Sequence, residues 1–293
     1  PQNRVGTYLS IKALIRPGQN VLLSPFTIHE VVNMVICAGG IPVFVDIERE
    51  TCNLDPLLAE EFLDKNTGAV LVTHMHGLAM DVEYLAKVCR QKKIPLIEDA
   101  AQSFSSRLRG KHVGTIGDVG VFSFGMYKNL NTFLGGMLVT SREDLIKDLS
   151  DEMFLFPIQD LSLLLKKIGH SLITDVATYP PIFSNIVYQI FRFGFLNDVE
   201  FLNKRVRVED YPRTKDKIPP EYLQRISPMQ ARIGLQNLSQ IEDDNKARMV
   251  FAKKYFDGLK DLQQLLIPPW REDGSHIYSY YAIQCRDRHL LVR

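Results

Sequence analysis

Short apolar runs rich in β-branched residues recur along the first half of the chain: NVLLSP, PVFVDI, AVLVTHM, PLIEDA, VGVFSFG and GGMLVT. Glycine, proline and polar clusters bound them, as they bound strands. Between several lie helix-period patterns, HEVVNMVICAGG and DVEYLAKVCRQKK. The second ends in the basic turn that a helix C-terminus favours. Uniformly apolar strands alternating with helices predict an α/β fold, with a mostly parallel central sheet covered by helices on both faces. Ligands bind such sheets beyond the carboxyl ends of the strands. A helix from 141 to about 151 is expected to leave this domain.

The pattern then changes. Residues 153–204 are rich in Leu, Ile and Phe, broken by YPP and including FSNIVYQIFRFGF. In that run Phe183, Ile186, Ile190 and Phe193 are spaced by three and four, which predicts one apolar helical face seeking a cover. A polar, proline-bearing linker follows, VEDYPRTKDKIPPEY. The stretch from Ser227 to Leu262 reads as one long helix, with Ser227 as N-cap and Pro228 at its first position. The chain closes on turn and strand. The expected division is a large α/β domain over 1–150, an apolar insertion over 151–210 and a smaller C-terminal domain over 211–293. That last domain is expected to be incomplete.

The length of 293 residues suffices for a sizeable core. Thirty-five basic and 34 acidic side chains, mixed along the chain, give a net charge of +1. Nothing in that balance calls for nucleic acid. Cys37, Cys52, Cys89 and Cys285 are scattered without CxxC spacing, which favours reduced thiols and a cytoplasmic chain. The start carries no secretory signal, and no stretch reaches the roughly 18 uninterrupted apolar residues of a transmembrane helix.

Candidate chemistry gathers at the predicted strand ends. Asp99 closes one apolar run and Gln102 follows three residues later. Ser123 closes another, and Lys128 lies five further on. A lysine there either snorkels to solvent or serves chemistry. Gly6 and Thr7 stand near the start of a predicted helix, a possible perch for phosphate. Pyridoxal 5'-phosphate (PLP) needs a lysine amine for a Schiff base, a carboxylate at its pyridine nitrogen and donors for its phosphate. Taken singly, Asp99 reads as a cap or ion-pair partner and Ser123 as a small core residue. His74 and His76 alternate along a predicted strand but lack further ligands at metal-site spacing, so no metal is expected. They read as structural or as lining the pocket. Glu98 points to the opposite strand face from Asp99. Arg109, Lys111 and His112 read as a solvated hairpin turn.

The wording of the motifs goes further. IPLIEDAAQSFSSRLRGKHVGTIGDVGVFSFGMYKNLNTFLGGMLVT and the upstream PGQNVLLSPFTIHEVVNMVICAGGIPVFVDIERETCNLDP closely resemble the DegT/StrS family of PLP-dependent sugar aminotransferases. THMHGLAMDVEYLAKVC and ISPMQARIGLQNL resemble further segments in the same order. The resemblance spans most of 4–150 and resumes near Glu221. It implies a fold-type-I PLP-dependent transferase, working as a homodimer with active sites near the subunit interface. It implies that Lys128 forms the Schiff base and shuttles protons, Asp99 pairs with the pyridine nitrogen and Gln102 bonds the ring hydroxyl. Ser123 would bind the phosphate, helped by Gly6 and Thr7. The implied reaction moves an amino group from an amino acid, by resemblance glutamate, to a keto-sugar, expected to be nucleotide-linked.

Three departures stand out. Ile28 holds a position usually aromatic in the family, so stacking on the cofactor would weaken or pass to His29. Leu223, with Gln224 beside it, stands where many members carry an asparagine that reaches the neighbouring subunit's cofactor phosphate. The connection from Gly136 to Ser227 is long for the family, the excess being 153–204. Two rival classes stay open. A sugar dehydratase of the same fold would carry histidine in place of Lys128, and a non-catalytic or regulatory scaffold would need no Lys128–Asp99 set. The apolar insertion is expected to cover protein. The lesser reading is peripheral contact with a membrane surface, which the basic and aromatic stretches KKIGH, FRFGF and NKRVR permit.

Overall fold

The computed structural model describes residues 1–206 and 213–287, with side chains at 204–206 left out. The basic end of NKRVR and the first part of the proline-bearing linker therefore lie outside the described residues.

All six apolar runs form strands of one sheet. They are β1 (Asn20–Leu23), β2 (Ile41–Phe44), β3 (Thr67–Thr73), β4 (Leu96–Asp99), β7 (Val119–Ser123) and β8 (Gly136–Thr140); between β4 and β7 a small hairpin forms from β5 (Arg107–Leu108) and β6 (Lys111–His112). The order across the sheet is β2-β1-β3-β4-β7-β8. Every pair is parallel except β7–β8. The link 124–135 holds no helix, so β8 returns antiparallel rather than by a helical crossover.

Strand alternation divides the core in two. Leu22, Val70, Val72 and Leu96 face one layer with Leu85 and Val82 of α4 (Val82–Lys92). Val21, Leu23, Ala69, Leu71 and Ile97 face the other, with Ile11 of α1 (Asn3–Leu14) and Val31 and Val35 of α2 (His29–Cys37). The short α3 (Pro56–Glu61) is capped by Asp55, which accepts from the amides of Leu57 and Leu58.

The helix after β8, α5 (Glu143–Phe154), does not leave the domain. Leu145 and Leu149 pack with Val5, Leu9, Val119 and Val121 in a third buried cluster. Its apolar stripe is satisfied by α1 and β7, so it stays.

Contacts divide the chain into two compact units, 1–158 with 215–293 and 159–214, where three consecutive segments were expected. The C-terminal segment joins the first unit because its polar groups bond there. Lys215 pairs with Glu30, and Ser279 Oγ donates to the Gln102 carbonyl (2.6 Å). The second unit is helical: α6 (Leu161–Thr178), α7 (Pro180–Ile182), a π-turn over Phe183–Val187, α8 (Tyr188–Leu196) and α9 (Glu200–Val206). Phe183, Ile186, Ile190 and Phe193 are exposed in the single chain.

The expected long helix is two, α10 (Pro228–Leu238) and α11 (Ile241–Leu259). Ser239 turns its hydroxyl back on the Gln236 carbonyl (2.7 Å), a competitor to helical bonding. Glu242, Asp243 and Asp244 then open a new first turn, where acids are favoured. The closing strands β9 (Leu265–Leu266) and β10 (Gln284–Cys285) pair antiparallel.

Candidate active site

A cavity of about 390 Å³ lies beyond the carboxyl ends of the strands, where Thr73, Asp99 and Ser123 end β3, β4 and β7; Lys128 and Gln102 line it too. Lys128 sits in the loop between β7 and β8. Its side chain is neither exposed nor fully buried. Burial pushes its amine below the usual lysine value, with the Asp99 charge pulling the other way. Asp99 is buried, and its Oδ1 accepts from the Ala101 amide (3.0 Å) and from Asn3 Nδ2 (3.2 Å). Burial pushes this carboxyl up, against those two bonds and the Lys128 charge. Each group alone is a poorly solvated charge, so a partner brought into the cavity gains from pairing with it.

Gln102 Oε1 accepts from the His76 amide (2.9 Å), while its Nε2 lies 3.9 Å from Met75 Sδ. The oxygen is thus spent on the fold and the amide nitrogen is the donor left for a ligand. Asn129 has its Oδ1 3.2 Å from Ser279 Oγ, and its Nδ2 is buried without a partner.

Gly6 and Thr7 are not at the helix start. α1 begins at Asn3, Gly6 N donates to the Gln2 carbonyl (3.0 Å) and Thr7 Oγ1 to the Asn3 carbonyl (3.2 Å), and both residues are buried. The first amides of a helix lack intrahelical partners, and here Gln2, Asn3 and Arg4 line the cavity instead. Gln2 makes no side-chain cap bond, so no local motif marks this start. Gly136 permits the approach, because a Cβ there would stand 2.7 Å from Asn3 N and 2.4 Å from the Phe122 carbonyl oxygen.

Ile28 lines the cavity, as does Phe26, and both side chains are exposed there. His29 does not line it; its Nε2 lies 3.3 Å from Glu30 Oε1. Leu223 packs against the third core cluster, and Gln224 Oε1 is buried without a partner.

His74 and His76 do not share a strand face, since β3 ends at Thr73 and His76 adopts a left-handed backbone (φ 59°). His74 Nδ1 accepts from the Met80 amide (3.0 Å), so Nε2 carries the proton and donates to Glu98 Oε2 (3.0 Å). Glu98 does face away from Asp99. It also accepts from the amides of Gly114 (2.9 Å), Ile116 (2.7 Å) and Gly117 (2.6 Å). Burial alone would raise this carboxyl, but His74 and the Gly117 and Gly114 amides outweigh it and hold it below the usual value. This knot ties β3, β4 and the 114–117 turn together directly behind Asp99. Glu98→Ala strands the His74 N–H and three amides, each buried donor left unpaired costing about 1–3 kcal/mol, so a marked loss of stability is expected in a denaturant melt. A depressed folded value means the unfolded chain binds the proton more readily. Stability from Glu98 is therefore present above about pH 4.5 and is lost as pH falls through the folded value. Glu98→Gln should lack that acid limb.

Arg109 is bound by Asp81 (2.7 Å) and Glu83 (2.6 Å), and Lys111 by Glu83 (3.2 Å), on an exposed hairpin. Among the described residues, no three metal-binding side chains come together.

The sequence also missed a brace. Gln230, fully buried, completes a capping box with Ser227 at the start of α10. Its Nε2 also donates to the carbonyls of Leu134 (2.8 Å) and Thr132 (3.3 Å). Asn237 Nδ2 donates to the Asn131 carbonyl (2.8 Å). Helix α10 thereby closes the far side of the loop carrying Lys128. Gln230→Leu takes a partner from the Thr132 carbonyl and from the Ser227 amide and is expected to cost about 1–3 kcal/mol. If the brace sets the lysine's position, it should also shift the pH at which a lysine-bound chromophore titrates, read by absorbance.

Residues 6–159, just over half of the chain, match the DegT/DnrJ/EryC1/StrS aminotransferase family. The chain is 27% identical to the spore coat polysaccharide biosynthesis protein SpsC of Bacillus subtilis, over 96% of this chain and 62% of that protein. It is 37% identical to the GDP-perosamine synthase of Vibrio cholerae over 49% of this chain and 39% of that one. Among solved structures, the aminotransferase TlmJ from Streptoalloteichus hindustanus superposes with a TM-score of 0.71 at 25% identity, covering 97% of this chain and 64% of TlmJ. The chain thus spans under two thirds of the length of SpsC and of TlmJ. The fold is that of the fold-type-I PLP-dependent transferases.

Proposed function

The chain belongs to the DegT/DnrJ/EryC1/StrS aminotransferase family, and from that premise we propose a PLP-dependent aminotransferase acting on a sugar. The amino donor in this reading is an amino acid, glutamate by preference. The acceptor is a nucleotide-linked keto-sugar, a class supported by the likeness to a GDP-perosamine synthase. One observation carries the reading: Lys128 and Asp99 line one cavity beyond the strand ends, each with its charged form disfavoured by burial.

The residues present fit the cofactor. Asp99 is a buried carboxyl anchored through Oδ1, suited to a protonated ring nitrogen. Gln102 Nε2 is a donor for a ring oxygen. Ser123 and the start of α1, with the Arg4 side chain, suit a phosphate. When bound, PLP supplies an electron sink for bond breaking at the amino acid's Cα. Lys128 would hold the cofactor through its amine and would then carry the proton to and from Cα. Its lowered basicity keeps more neutral amine available than a solvated lysine offers. Asp99 would hold the proton on the ring nitrogen. Gln102, fixed through the His76 amide, would present its Nε2 to a ring oxygen. The proposed working unit is a pair of chains, with the exposed Phe26 and Ile28 at the cavity mouth as surfaces for the second copy.

The test is absorbance of the purified chain with added PLP, followed by borohydride reduction and peptide mapping. A reducible visible band that maps to Lys128 and is discharged by glutamate supports the reading. A chain that shows no band, or forms one with no change on adding any amino acid, refutes it.

A further inference from the structure

Residues Gln159–Thr214 form a compact unit of their own. Helix α6 runs into Tyr179, Pro180 and Pro181, and the chain continues through the π-turn into α8. Charge is segregated along this hairpin. From Leu172 to Phe191, the stretch around the bend, the single charged side chain is Asp175. Lys166, Lys167 and His170 precede that stretch and Arg192 follows it. Leu172, Ile173, Val176, Tyr179 and Ile186 are all more than half exposed, Ile173 at 71%.

The exposure is not confined to one face. In α8, Tyr188 and Phe195 are seven apart and share one side, while Ile190 and Phe193 point to the other; all four are exposed. Apolar side chains exposed on opposite sides of one helix are not covered by a single flat partner. A second protein surface would cover one side, whereas acyl chains surround the whole tip. No helix among the described residues is long and apolar enough to cross a membrane. From Leu172 to the end of α6 the helix rises about 10 Å, comparable to the roughly 5–10 Å depth of interfacial helices. Lys166, Lys167 and Arg192 then stand where an anionic headgroup layer would meet them, and each basic residue there favours the anionic leaflet.

We propose that the hairpin from α6 to α8 seats the protein on an anionic lipid surface, its bend entering one leaflet and its basic residues forming the collar. The proposal is independent of the aminotransferase reading, because no residue of the candidate active site takes part.

The experiment is flotation of the intact chain with vesicles of phosphatidylcholine alone or of equal parts phosphatidylcholine and phosphatidylglycerol. Two variants accompany it, Ile173→Glu with Ile186→Glu and Ile190→Glu, and Lys166→Glu with Lys167→Glu and Arg192→Glu. These side chains are exposed or half-exposed, and circular dichroism of each variant checks that the helices persist. The wild type is expected to float with the anionic vesicles. The tip variant should lose flotation on both. The collar variant should lose on the order of 10²-fold in partition to anionic vesicles and little on neutral ones. Failure of the wild type to float, equal flotation on both vesicles, or flotation untouched by the tip substitutions overturns the proposal. So does a lipid-free dimer that the tip substitutions dissociate while the wild type ignores vesicles, since a second copy would then cover the hairpin.

Discussion

Lys128→Ala is expected to abolish borohydride-fixable attachment of PLP and to cut amino transfer by on the order of 10³-fold or more. Positioned proton transfer alone contributes about 10²–10⁴, and this substitution also removes the covalent anchor. The fold should survive, because the lysine amine is disfavoured as a cation where it sits. A lysine whose folded value lies below its unfolded one destabilises the native state while the unfolded chain binds the extra proton. Wild-type stability should therefore rise with pH between the lowered value and about 10.5, and Lys128→Ala should lack that rise. The measurements are single-turnover absorbance, turnover of the loaded enzyme and urea melts across the alkaline range. Retained turnover with a reducible chromophore would remove Lys128 from the mechanism.

Asp99→Asn should separate activity from stability. Asparagine can still accept from Asn3 and the Ala101 amide but supplies no charge to the ring nitrogen. Turnover is expected to fall on the order of 10²-fold or more, the scale of losing a preorganised electrostatic partner, with a smaller loss in cofactor affinity. Asp99 is pushed up by burial, so the folded state binds its proton more readily than the unfolded one. Its ionisation costs stability as pH rises from about 3.8 through the folded value, and the asparagine variant escapes that cost. A variant at least as stable as the wild type at neutral pH, yet slow, is the expected signature. A variant that is fast, or slow only because it unfolds, would assign Asp99 to the scaffold.

The six strands were legible because each apolar run is a local pattern that the sheet buries on both faces. Asp99 and Ser123 were legible for the same reason, since a strand end is where such a run stops. Gly6 and Thr7 were misplaced because the start of α1 carries no capping side chain; where that helix begins is set by its seat beside Gly136. His74 and His76 were read by strand period, but β3 stops at Thr73 and the two rings part company. The Gln230 brace had no sequence signal beyond its capping box. Its partners Thr132 and Leu134 lie nearly a hundred positions away, and only the folded chain brings them together.

The sequence by itself determined the strands, the chemistry carried at their carboxyl ends and the anomalous apolar insertion, because these are matters of residue type and short-range period. Only the tertiary structure decided which residues at the start of α1 line the cavity, that α5 stays on the domain and that α10 braces the lysine loop. It alone showed that the insertion's apolar side chains remain exposed around a hairpin. Those outcomes depend on contacts between distant segments, where burial and hydrogen-bond satisfaction outweigh local preference.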